Sequence, residues 1–141
     1  SFIPKQSVFG STSQSLGNKM KEIKKSEAES LVNKLGPHIS SCDFTYAPAF
    51  PETRKDICAV RRLAEDGHSY GFDTVYLIWK NDEGLQHEQL IDSRSSKDYI
   101  HIDDVIEDKE NIIVKVHSGG SFSGQSWKKE YQRKKSDLGL E

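Results

Sequence analysis

Residues 75–79 form an unbroken apolar run, Val-Tyr-Leu-Ile-Trp, made of β-branched, leucine and aromatic side chains. Side chains of these kinds favour strands, and a run without a polar face predicts a strand that is buried, or nearly so, on both faces. Residues 81–84, Asn-Asp-Glu-Gly, have the composition of a hairpin turn. We therefore expect a return strand over residues 85–91.

Two later segments have the character of further strands. They span residues 99–106 and 112–117, and a charged turn at residues 107–110 joins them. Together with the first hairpin, they predict a four-stranded antiparallel meander.

A helix is predicted to begin at Ser26, because Ser26 and Glu29 match a capping box, in which two side chains satisfy free amide groups of the first turn. Apolar residues follow at helical spacing. Gly36 and Pro37 end this helix, since glycine adopts the left-handed cap and proline cannot continue the helix.

A second helix is predicted from Thr53 to Gly67. Its buried face consists of the following apolar residues at helical spacing: Ile57, Val60, Leu63 and Ala64. Cys58 lies away from that face on the helical wheel. Three arginines lie near it along the helix: Arg54, Arg61 and Arg62. Because nearby cations favour the thiolate, Cys58 is a candidate nucleophile, unless a covering layer or Glu65 cancels the effect.

Residues 125–135 are compatible with a third helix, because two aromatic residues lie one turn apart. Two helices before a meander, with this optional helix after it, predict an α+β fold. The expected domain covers residues 19–135, with a flexible arm at residues 1–18 and a flexible tail or cloning remnant at residues 136–141. Its predicted core is Leu31, Val32, Leu35, Ile57, Val60, Leu63, Val75, Leu77, Trp79, Ile102, Ile112, Val114 and Val116.

Composition excludes several other classes of protein. The chain has 141 residues, of which 34% are hydrophobic and 30% charged, and this length predicts one domain. No apolar run approaches the roughly 20 residues of a transmembrane helix. Cys42 and Cys58 are too few for a disulfide framework. We expect a reducing, cytoplasmic location, and leave open a single bridge between the two cysteines.

Charge is distributed unevenly along the chain. Residues 82–110 contain ten acidic and three basic residues, a net charge of −7, whereas residues 127–135 contain five basic residues and one acidic, a net charge of +4. Lysines that contact phosphates and rings that stack on bases make the second segment a candidate nucleic-acid site. Its members are Trp127, Lys128, Lys129, Tyr131 and Arg133. A solvated helix is the favoured interpretation, because a net acidic chain lacks the basic surface of such proteins.

A glycine- and serine-rich loop follows the last predicted strand, at residues 117–124. Between a strand and a helix, such a loop can hold a phosphate group on converging backbone amides. The candidate phosphate-binding residues are Gly119, Gly120, Ser121, Ser123 and Gly124. The loop matches neither the Walker pattern nor the GxGxxG fingerprint, so a flexible connection is favoured.

The last predicted hairpin brings a polar set together. The expected register places His101 opposite His117 and Asp103 opposite Lys115, all on one face. His101, Asp103 and His117 are therefore candidate metal ligands, and the two histidines are candidate catalytic residues. A solvated face with one cross-strand ion pair is favoured. Asp104 fits neither face, so a bulge there would shift the register.

Two classes of function are left open. A non-catalytic binding or interaction module is favoured, because charge is uneven, aromatic residues concentrate at residues 44–50, and no catalytic motif is present. The alternative is a small enzyme that uses Cys58 or the pair His101 and His117. No cofactor is predicted. A protein partner is left open, nucleic acid is disfavoured, and no membrane association is expected.

Overall fold

The structure, a computed structural model, describes residues 21–67, 71–119 and 126–141. The predicted arm at residues 1–18 and four of the candidate loop residues, Gly120, Ser121, Ser123 and Gly124, lie outside these ranges. Within them the chain forms one α-helix and seven β-strands. Their bounds are α1 (Lys25–Leu35), β1 (Phe44–Thr45), β2 (Ile57–Glu65), β3 (Gly71–Asn81), β4 (Gly84–Asp92), β5 (Ile100–Glu107), β6 (Asn111–Ser118) and β7 (Lys128–Lys134).

The strands form two antiparallel sheets, the first in the order β1-β2-β3-β4 and the second in the order β5-β6-β7. Apolar side chains of both sheets share one core, as in a sandwich. That core contains Ile57, Ala59, Val75, Leu77, Ile100, Val105, Ile112, Val114 and Val116. The opposite face of the first sheet is covered by α1. Ala28 and Val32 of this helix are buried against Cys58, Val60 and Ile78.

Strand β3 confirms the sequence prediction for the apolar run. Its first eight residues are all buried, because one face packs in the core between the sheets and the other packs under α1. Val75 and Leu77 belong to the first of these layers, and Tyr76 and Ile78 to the second. The predicted hairpin with β4 is also present.

Helix α1 lies close to its predicted position, but its two ends are built differently. Glu27 accepts the backbone N–H of Lys24 at 3.3 Å, so the capping pair lies two residues earlier than the predicted box. The predicted left-handed cap at Gly36 is wrong, because this residue is extended, with φ −75° and ψ 156°. It is a glycine for lack of space, because a Cβ there would collide with the side chain of Arg62. No helix in the described ranges is long and apolar enough to cross a membrane.

The predicted second helix is wrong, because residues 57–65 form strand β2. This strand lies between two apolar layers, so side chains on both of its faces are buried. Ile57 and Ala59 face the second sheet, whereas Cys58 and Val60 face α1. A strand buried on both faces loses its alternation of apolar and polar residues, and the remaining apolar positions matched a helical spacing by coincidence.

The predicted α+β fold with a single meander is also wrong, since the described chain is mostly β. Strands β3 and β4 belong to the first sheet, but β5 and β6 belong to the second. The optional C-terminal helix is strand β7, on which Tyr131 is directed to the core and its neighbours Glu130 and Gln132 are exposed. Aromatic residues four apart fit a helical turn, yet four residues apart is also one face of a strand.

The chain crosses from the first sheet to the second after Ser93. The hydroxyl of this buried residue accepts the backbone N–H of Asp73 at 2.8 Å and donates to the carbonyl of Asp98 at 2.6 Å. These bonds tie the connection to β3. A prediction that pairs each strand with the next one along the chain cannot anticipate such a crossing.

Residues 136–141, expected as a tail or remnant, contribute to the core. Leu138 and Leu140 are buried between the sheets. The side-chain amide of Asn81 donates to the carbonyl of Leu138 at 2.9 Å, which anchors this segment to the end of β3.

Glu107, the last residue of β5, links three parts of the chain. Its carboxylate accepts hydrogen bonds from Thr53 at 2.6 Å, Arg54 at 2.9 Å and Lys135 at 2.8 Å. Burial alone would raise the pKa of Glu107, but the bonds from Lys135 and Thr53 and the charge of Arg54 outweigh it and lower the pKa to about 2. The cluster therefore joins the two sheets at one end of the sandwich.

Glu107→Gln is expected to lower the free energy of unfolding by on the order of 2 kcal/mol at neutral pH. A carboxylate whose pKa is lowered by folding stabilises the folded state above its ordinary pKa. This contribution is lost as the pH falls from about 4.5 towards about 2. Urea titrations of both proteins between neutral and acid pH measure the difference. Glu83→Gln, in the exposed β3–β4 turn, is the control. A difference that stays constant on acidification would contradict the prediction.

Candidate functional site

Three polar side chains form a row on the face of the second sheet that points away from the core. His101 of β5, His117 of β6 and Lys128 of β7 are Cα partners across neighbouring strands. The predicted pairing of His101 with His117 is therefore confirmed. Their rings stack with centroids 4.9 Å apart and planes at 22° to each other. His117 is the central member of this row.

A bulge in β5 gives His117 a carboxylate neighbour. The register shifts between Ile102 and Asp104, so that Lys115 pairs with Asp104. The predicted partner of Lys115, Asp103, is instead the extra residue of the bulge. Asp103 Oδ1 lies 2.6 Å from His117 Nδ1. Bulges recur where a sheet must redirect one side chain, and here the bulge creates the contact between Asp103 and His117.

The carboxylate of Asp103 determines which nitrogen of the His117 ring carries the proton. An ionised carboxylate only accepts hydrogen bonds, so Nδ1 of His117 carries the proton and donates it. In the neutral ring, Nε2 then holds a free lone pair. The His117 side chain is 37% exposed, so a ligand in solvent can reach it.

His101 has the opposite arrangement. Arg61 Nη1 lies 3.4 Å from His101 Nδ1. A guanidinium only donates, so Nδ1 must accept and the ring proton sits on Nε2. Burial, followed by the charges of Arg61 and His117, lowers the pKa of His101. This histidine is therefore a neutral donor through Nε2–H.

Arg61 is held rigidly in the position from which it contacts His101. Its Nε and Nη2 donate to the two carboxylate oxygens of Asp73 at 2.8 and 3.1 Å. Its guanidinium carbon lies 4.2 Å from the ring centroid of Tyr46. Asp73 also accepts the backbone N–H of Ile100 at 2.7 Å. The buried ion pair with Asp73 thus holds Arg61 of the first sheet against His101 of the second.

The predicted metal ligands His101, Asp103 and His117 are neighbours, but they do not offer three free ligand atoms to one metal ion. Asp103 is bonded to Nδ1 of His117 and not placed beside its Nε2. Binding a metal through Nε2 of His101 would require a proton on Nδ1, facing the donor of Arg61. No group of three or more metal-ligating side chains occurs in the described part of the chain.

A cavity of about 380 Å³ lies beside the row, between the end of β6 and the start of β7. It is lined by His117, Ser118, Ser126, Trp127 and Lys128. The Ser118 hydroxyl accepts the backbone N–H of Trp127 at 3.0 Å, which fixes one wall. A site of this volume with an aromatic wall and a few polar groups has the general character of a ligand pocket.

The five candidate nucleic-acid residues do not form one surface. Lys128 lies on the outward face of β7, whereas Tyr131 and Arg133 lie on the inward face. Arg133 donates two hydrogen bonds to the carboxylate of Glu88 on β4, at 2.9 and 2.7 Å. Lys129 Nζ lies 4.5 Å from the centroid of the Trp127 ring. Of this set, Trp127 and Lys128 line the cavity.

Cys58 does not have the surroundings that the sequence predicted. It is completely buried under α1 on strand β2. Burial and, to a smaller extent, the charge of Glu27 raise the pKa of its thiol to about 12. The helix that would have placed three arginines around it does not exist, and both cysteines are free.

Asp73 belongs to this site but was not among the residues predicted from the sequence. A signal was present, because an aspartate between Phe72 and the apolar run of β3 requires a buried partner. Ser126, which lines the cavity, carried no comparable signal. Comparison with protein-family models, with curated proteins and with solved structures finds no match.

Proposed function

We propose that this protein is a binding module whose ligand carries an anionic group and occupies the cavity between β6 and β7. One observation carries the proposal: a lysine, a histidine, two serines and a tryptophan line a single open cavity. Lys128 supplies the positive charge, and hydrogen bonds from charged donors to anions are about twice as strong as neutral ones.

The rigidity of the surroundings supports binding in a fixed geometry. Asp103 orients His117, and the Trp127 indole N–H donates to Asp98 Oδ2 at 3.2 Å. Side chains that are held before the ligand arrives lose less entropy when it binds.

Lys128→Gln is expected to weaken binding of inorganic phosphate at least about fivefold, because a charged donor becomes a neutral one. Lys134→Gln is the matched control. Lys134 is exposed on the same face of β7, at its far end opposite Asn111. The measurement is an NMR titration that follows the backbone amides of His117 and Ser118 and the indole N–H of Trp127.

Equal weakening by both lysine variants would indicate diffuse charge attraction and would contradict a site in the cavity. A separate incubation with methyl phosphate addresses the alternative of a small enzyme at His101 and His117, which the contact between Asp103 and His117 favours. Methyl phosphate recovered unchanged supports the module, whereas its hydrolysis by water to methanol and inorganic phosphate supports the enzyme.

A further inference from the structure

The two histidines of the row present opposite hydrogen-bonding groups to the same side of the sheet. Arg61 leaves His101 with an Nε2–H donor, and Asp103 leaves the neutral ring of His117 with an Nε2 acceptor. Lys128 adds a further donor on the neighbouring strand. A site with several donors and one acceptor suits an anion that itself carries one proton.

We propose that this site selects hydrogen phosphate, an oxyanion that retains a hydroxyl group, over anions of the same charge that lack one. The proposal rests on the proposed function, because it names the ligand of the same cavity. In the complex, the phosphate O–H donates to Nε2 of His117. The remaining oxygens accept from Lys128 and Ser126 of the cavity lining and from Nε2–H of His101, which stacks on His117 beside the cavity.

The placement of Gly119 keeps this edge of the histidine row open. A Cβ on Gly119 would lie 3.0 Å from His101 Cδ2 and 3.1 Å from His101 Nε2, and 3.7 Å from His117 Cδ2. The Cδ2 sides of both rings therefore face the same small space. A side chain at this position would crowd the Nε2–H of His101, whereas glycine places no side-chain atom there.

Sulfate is the decisive comparison. At about pH 8, hydrogen phosphate and sulfate are both tetrahedral dianions. Only hydrogen phosphate can donate to His117. Sulfate would place an oxygen lone pair against the lone pair of Nε2, and an unmatched polar contact of this kind weakens binding about tenfold or more.

The experiment is an NMR titration of the full chain at about pH 8 and constant ionic strength with inorganic phosphate, sulfate and methyl phosphate. Methyl phosphate is a dianion without a hydroxyl at this pH, because its second pKa is about 6. It therefore separates free phosphate from phosphate esters. We expect inorganic phosphate to bind at least about tenfold more tightly than either of the other two anions.

Two variants test the role of His117. His117→Phe keeps a ring against His101 but removes the acceptor, so the preference for phosphate over sulfate is expected to fall towards one. Asp103→Ala frees the proton of His117 to move to Nε2 and is expected to reduce the same preference. Asp103 is 41% exposed, so this variant does not disturb the core. Lys134→Gln should leave the preference unchanged.

The outcomes separate the two proposals. Equal binding of phosphate and sulfate to the natural sequence, with Lys128→Gln still weakening both, overturns the selectivity and leaves the binding module intact. Retention of the preference in His117→Phe also overturns it. Absence of binding by all three anions overturns the proposed anion site itself.

Discussion

Asp73→Asn is expected to lower the free energy of unfolding by about 3 kcal/mol, the scale at which removing one partner of a buried ion pair destabilises a protein. The Asp73 side chain is completely buried and that of Arg61 is 11% exposed. Asparagine keeps an oxygen for the backbone N–H of Ile100. The substitution therefore removes the charge that neutralises Arg61 together with the acceptor of its Nε–H.

The pair as a whole adds little stability, but each member requires the other. Burial raises the pKa of Asp73, and Arg61 and the backbone N–H of Ile100 only partly oppose this effect. Apolar replacement of both members of such a pair is often neutral. The double variant Arg61→Met with Asp73→Asn should therefore be more stable than the single variant Asp73→Asn.

Urea unfolding followed by tryptophan fluorescence measures both effects, with Trp79 and Trp127 as the two probes. A loss below about 1 kcal/mol for Asp73→Asn would show that solvent screens the pair, as at a protein surface. The folded single variant also reports on the site. A mobile Arg61 no longer forces the tautomer of His101, so the NMR signals of that ring should change.

The parts of the fold that the sequence predicted are those governed by local chemistry. The apolar run of β3 and the turn after Asn81 each depend on a few neighbouring residues. The facing of His101 and His117 was also predictable, because a short hairpin and period-two alternation determine it. Even the bulge between Ile102 and Asp104 had a visible cause in the sequence, because Asp104 is a polar residue that fits neither face.

The parts that could not be predicted depend on which layers cover a strand. Strand β2 looked helical because α1 buries one of its faces and the second sheet buries the other. The division into two sheets depends on Ser93 and Asp98, a contact that only the folded chain reveals. For the same two reasons, the contact between Arg61 and His101 could not be predicted. Arg61 lies on β2, and it reaches His101 only because the two sheets pack together.

Cys42 is expected to react with iodoacetamide at least about a thousandfold faster than Cys58 in the folded protein near neutral pH. The thiolate is the reactive species, and a pKa of about 12 leaves very little of it on Cys58. Cys58 is also fully buried, whereas Cys42 is exposed. The order is the reverse of the one that a helix carrying three arginines would produce.

Mass spectrometry of the two peptides after timed alkylation measures the rates, and Cys42→Ser provides a protein whose only thiol is Cys58. In urea both thiols should react at similar rates, because unfolding removes the burial that raises the pKa of Cys58. Reaction of folded Cys42→Ser at the rate of a free thiol would contradict the burial of β2 under α1. It would also restore the thiol as a candidate nucleophile, whereas protection leaves the histidine row and its cavity as the proposed ligand site.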